Sequence, residues 1–89
     1  MEDLLVPGGF THYRPLTPED KELFDKVVGP IIGVSYEPTE VASQVVAGIN
    51  YKFRAIATIP NYDTYHVVVT IFVPLPGEGE PVLVSIVRT

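Results

Sequence analysis

From Ile49 to Ala55 the side chains alternate without a break. Ile49, Tyr51, Phe53 and Ala55 fall on one side of an extended chain, and Asn50, Lys52 and Arg54 fall on the other. Strand side chains point to opposite faces with period two, so this stretch reads as a strand with one buried face. Just before it stands Gln44-Val45-Val46-Ala47-Gly48, two β-branched residues running into a small pair, and the whole predicts a hairpin that reverses near Ala47-Gly48. The tip is apolar. Exposed turns ordinarily use Asn, Asp, Gly or Ser, which bond locally or accept positive φ, so Val-Val-Ala is a poor connector and suits a contact surface.

The chain has 89 residues, of which 46% are hydrophobic. A chain of this size buries only about 60–65% of its unfolded surface, so it supports one core and is expected to form a single domain over residues 1–89. No cysteine is present, which removes disulfides, a thiolate nucleophile and cysteine-based metal sites, and fits a cytoplasmic protein. The acidic start, Met1-Glu2-Asp3, is followed by only three apolar residues, Leu4-Leu5-Val6, so no export signal is read there. No apolar run approaches the roughly 20 residues that cross a bilayer, and no membrane partner is expected. The formal charge is −5, with cations scattered at positions 14, 21, 26, 52, 54 and 88, so a phosphate backbone is not an expected partner either.

Residues 1–9 read as an extended arm with an apolar centre and a Pro7-Gly8-Gly9 joint, and Phe10 to Leu16 as an extended lead-in, since Pro15 biases Arg14 away from helix. Thr17-Pro18-Glu19-Asp20 predicts a helix start: an N-cap, a proline in the first turn, and two acids at the positive end of the dipole. Leu23, Phe24, Val27, Val28 and Ile31 form its apolar face. Gly29-Pro30 should end or kink it, with Gly33 expected as its C-cap. Glu37-Pro38-Thr39-Glu40 is expected to be a turn, followed by strands over Val41 to Val46, Ile49 to Ile59, Tyr65 to Val73 and Val82 to Val87. Pro60 to Asp63 and Pro74 to Pro81 are the connections. One helix and four to five antiparallel strands with one apolar face make an α+β domain in which the sheet wraps the helix.

Catalytic chemistry would have to come from His12, His66, Ser35, Ser43, Ser85 or the carboxylates. Asp63 and His66 are three apart on or beside a strand, which points them to opposite faces. No metal or cofactor site is expected: two isolated histidines do not make a metal centre, and Gly77 and Gly79 precede a strand where a phosphate-binding loop precedes a helix. An enzyme is not expected.

Gln44-Val45-Val46-Ala47-Gly48 resembles the QVVAG signature of the cystatins, protein inhibitors of papain-like cysteine proteases. Pro7-Gly8-Gly9 is similar to the amino-terminal trunk of the stefins, the intracellular (type 1) branch, and Leu75-Pro76-Gly77 to the stefin second hairpin. Thr17-Pro18-Glu19 and Asp25-Lys26-Val27 also look like the stefin helix. The motifs occur in the family's order and cover nearly the whole chain, although Ile31 to Ser43 is shorter than the family's segment. The resemblance implies a cystatin fold and a reversible, tight-binding, competitive inhibitor of papain and cathepsins. Its protease-binding residues would be Gly8, Gly9, Gln44 to Gly48 (Gln44, Val45, Val46, Ala47, Gly48) and Leu75, Pro76 and Gly77. The alternative is a cystatin-fold module that binds another protein. On the wedge reading, Gly48→Arg should weaken inhibition by orders of magnitude and leave the fold intact. Because Val45 and Val46 are expected at a strained reversal, a monomer that can convert to a domain-swapped dimer through this loop is also expected.

Overall fold

The computed structural model describes residues 9–89. Six elements follow one another: β1 (Arg14–Pro15), α1 (Pro18–Val28), β2 (Ser35–Val46), β3 (Gly48–Ile59), β4 (Asp63–Val73) and β5 (Val82–Arg88). The strands form one antiparallel sheet in the order β1-β2-β3-β4-β5.

The helix begins where its capping chemistry places it. The Thr17 hydroxyl accepts from the Asp20 backbone N–H at 3.2 Å, and an Asp20 carboxylate oxygen accepts from the Thr17 N–H at 2.9 Å. This reciprocal pair satisfies two donors that no helical carbonyl can reach. The helix ends at Val28 because Pro30 cannot continue it. Gly29 is the C-cap and keeps right-handed angles, donating to the Asp25 carbonyl at 2.9 Å. Gly33 is therefore not the cap. It lies in the linker to β2 at φ +93°, and Ile31, outside the helix, still packs against the core.

Phe24 and Val28 from α1 meet Val41, Phe53, Ala55, Ala57, Val67, Val69 and Ile71 from the sheet, all essentially without solvent contact. The Phe24 and Phe53 rings meet edge to face with centroids 5.0 Å apart, the arrangement that ring quadrupoles favour. Burying Phe24 alone is worth about 1.5–3 kcal/mol in apolar transfer.

The expected turn at Glu37-Pro38-Thr39-Glu40 is instead strand. Pro38 pairs with Ala55 and Glu40 with Arg54, which leaves Thr39 as an extra residue in a β-bulge. Its hydroxyl donates to the Arg54 carbonyl at 3.2 Å. Proline is tolerated in strands at bulges and open edges, and Pro38 has both settings, since β1 covers β2 only at Glu40 and Val41.

Candidate functional site

Past the bulge, the ladder between β2 and β3 runs unbroken from the pair Glu40–Arg54 to the pair Val46–Gly48, so Ala47 alone makes the reversal. Val45 and Val46 are 66% and 44% exposed, yet both remain in regular strand pairing, and the strain expected of them is absent. The unusual backbone belongs to Gly48, at φ +121°. This glycine is buried. A Cβ there would stand 2.5 Å from the Val73 carbonyl oxygen and 2.9 Å from the Phe72 ring. Gly48 is therefore the point where the hairpin presses on β4, not a slender exposed tip, and Gly48→Arg cannot leave the fold intact. Behind the tip, the Asn50 amide donates to the Gln44 side-chain oxygen at 2.9 Å and ties the two strands together.

The second loop starts at the same end of the sheet, because Ile49 pairs with Val73 and Pro74 follows directly. Glu78 N–H donates to the Leu75 carbonyl at 3.0 Å, closing a four-residue turn with Pro76 and Gly77 in the middle. Gly77 has φ +85°, as the third position of a type II turn demands, and proline suits the second. A Cβ on Gly77 would meet nothing within 4 Å, so it is there for its backbone angles alone. Leu75 is 44% exposed.

The lead-in runs antiparallel along the outer edge of β2. Arg14 pairs with Val41, Thr11 N–H donates to the Ser43 carbonyl at 2.8 Å, and Ser43 N–H donates to the Thr11 hydroxyl at 3.0 Å. Continuing that register brings Gly9 level with Val45 and Val46. Gly8 and the rest of the expected arm lie outside the described residues. The lead-in is also fastened to the helix: Arg14 Nη1 lies 2.6 Å from Asp20 Oδ2, on a carboxylate only 7% exposed. Burial pushes the Asp20 carboxyl up, but hydrogen bonds from Arg14 and from the Thr17 amide and hydroxyl outweigh it and hold the group below the usual carboxylate range.

Thus Gly9, Val45 to Gly48, and Leu75 to Gly77 come to one end of the sheet, and none of these residues is charged. Sequence reasoning did not find the role of Phe72 and Val73 beneath Gly48; nothing in a strand's alternation tells which residue a neighbouring turn will press on. Among the described residues no cluster of three His, Asp or Glu side chains could hold a metal. Asp63 lies 3.5 Å from Arg88, and His66 is solvent-exposed on β4.

No family model matches the chain. It is nevertheless 34% identical to cystatin-A1 of Sus scrofa, across 93% of this chain and 82% of that one. Human cystatin-A is 31% identical, across 91% and 85%. The chain belongs to the cystatins. Its fold agrees with that of a secreted type 1 cystatin from Fasciola hepatica at a TM-score of 0.72 and 28% identity, covering 92% of this chain and 96% of the other. One helix and a five-stranded antiparallel sheet are thus the type 1, or stefin, cystatin architecture expected from the motifs. A further pig relative, 35% identical across 86% and 77%, bears the name leukocyte cysteine proteinase inhibitor 1. That name is the one among these that states inhibition of a cysteine proteinase.

Proposed function

We propose that this cystatin, acting as one domain over residues 1–89, is a reversible, tight-binding, competitive inhibitor of papain-like cysteine proteases such as papain and the cathepsins. Gln44 to Gly48 and Leu75 to Gly77 enter the active-site cleft, and the arm ending at Gly8 and Gly9 occupies its other half. The observation that supports this most is the seating of Gly48 on Val73, which makes two exposed apolar tips into one rigid edge. Rigid elements lose little conformational freedom on docking, so more of the energy of burying Val45, Val46 and Leu75 survives as affinity. No catalytic group is needed: the edge fills the cleft and offers the protease no peptide bond in an attackable position.

Titration of papain and two cathepsins tests the reading. Stoichiometric loss of activity, an effect on KM without one on kcat, and recovery on dilution are expected. A folded chain at micromolar concentration that leaves all three proteases active would refute it and favour a binding module of another kind. The cytoplasmic location implied by the stefin resemblance belongs to the same proposal, and cell fractionation checks it, since the Fasciola relative is named as secreted.

A further inference from the structure

β1 is a weak attachment. It has two residues, one of them a proline without an amide, so its backbone ladder does little to hold the lead-in. Side chains do more. The Phe10 ring has the Lys52 ammonium 4.3 Å from its centroid, and the Tyr13 ring has the Arg54 guanidinium at 3.9 Å. Both distances are well inside the range of cation–π attraction. Lys52 and Arg54 are on β3, two positions from the sheet edge, and they alternate with the buried Phe53 and Ala55, so they stand on the outer face. To reach them the two rings must cross β2. On that face of β2, Ala42 pairs with Lys52 and is only 2% exposed although it is not part of the core cluster around α1, and Glu40 pairs with Arg54 and accepts from its guanidinium at 2.8 Å.

We propose that Phe10 and Tyr13 are positioning residues: gripping Lys52 and Arg54, they clamp the lead-in over the outer face and fix where the chain leaves Gly9 beside Val45 and Val46. The geometry stands without the inhibitory reading; the effect on inhibition rests on it. A lead-in held in register keeps Gly9 placed beside Val45 and Val46, whereas a loosened one does so only part of the time and binds more weakly by that fraction. The two contacts and the paired hydrogen bonds between Thr11 and Ser43 lie within four consecutive residues, which makes the clamp stiff and short.

The test uses Phe10→Leu, Tyr13→Leu and the double substitution, each in the full chain and in a chain lacking residues 1–8. Stopped-flow kinetics with papain should show the off-rate rising roughly two- to fivefold per contact in the full chain, the equivalent of an exposed cation–π pair. In the shortened chain the same substitutions should change nothing further, because there is no arm left to aim. Lys52→Met, which keeps the aliphatic stem and removes the charge, should reproduce the Phe10 effect even if a leucine disturbs packing. Hydrogen exchange gives a readout independent of any protease: the Thr11 amide should exchange faster in the double variant while Val67 and Val69 do not change. Equal off-rate effects with and without the arm, or an unchanged Thr11 amide, overturn the proposal. If the parent chain inhibits nothing but Thr11 responds, the clamp stands and the proposed function falls.

Discussion

Gly48→Ala is the smallest change that probes how the inhibitory edge is built. It adds one methyl group to a residue at φ +121°, where the new Cβ would sit 2.5 Å from the Val73 oxygen and 2.9 Å from the Phe72 ring. Forcing a side chain into that backbone region costs about 1–3 kcal/mol, and overfilling a packed contact typically about 1–3 kcal/mol more. The nearer atom is a backbone carbonyl in the interior β3–β4 ladder, so it cannot swing aside as a flexible side chain would. Taking ~2 kcal/mol as the lower bound, and ~4–8 °C per kcal/mol for a domain of this size, the melting temperature should fall by at least about 8 °C. Ala47→Arg is the matched control, since Ala47 is exposed at the reversal itself. It should leave the melting temperature nearly unchanged and weaken papain inhibition by orders of magnitude, because a charge would have to be desolvated in an apolar cleft. Calorimetry and papain titration on both variants make the measurement. A Gly48→Ala variant that melts within a degree or two of the parent would refute the close approach, and with it the claim that the two loops are mechanically joined.

Asp20→Asn should cost about 0.5–2 kcal/mol, the range for losing a helix cap, and more if the Arg14 contact is broken too. Because the folded carboxyl titrates below its unfolded value, its contribution is complete above the unfolded pKa of about 3.9 and is lost as pH falls through the lower folded value; urea melts of parent and variant should therefore converge in acid and separate above about pH 5. Deleting residues 1–8 should raise the off-rate for papain more than it lowers the on-rate, since related complexes differ mostly in dissociation; stopped-flow traces with an unchanged off-rate would show that the arm contributes nothing. Incubation just below the melting temperature should slowly yield a domain-swapped dimer in which Gln44 to Gly48 has straightened, Gly48 being released from its positive φ; size-exclusion fractions assayed with papain should show that this dimer does not inhibit, and a fully active dimer would exclude a swap at this loop.

Regularities that act locally are legible in the sequence. The alternation through β3 and β4, the cap at Thr17 and the connection from Pro74 to Pro81 are each dictated within a few residues, and each is found where the sequence puts it. What was not legible depends on partners distant in the chain. Glu37-Pro38-Thr39-Glu40 has the composition of a turn, and only pairing with Arg54 and Ala55 draws it into a bulged strand. Gly48 was read as a residue kept small for a protease, whereas the atoms that exclude a side chain are its own neighbours on β4. Phe10 and Tyr13 sit in a segment with no periodicity, so their reach across β2 left no pattern to read.

The succession of strands across the sheet repeats their succession along the chain. Its consequence is kinetic. Every contact in the ladder from β2 to β5 closes between consecutive segments, and such hairpins form in about 1–10 µs, far ahead of any step that waits for remote ends to meet. A polypeptide emerging from a ribosome can zip β2, β3 and β4 together while β5 is still being synthesised, and the reversal at Ala47 is completed as soon as Val73 arrives beneath it.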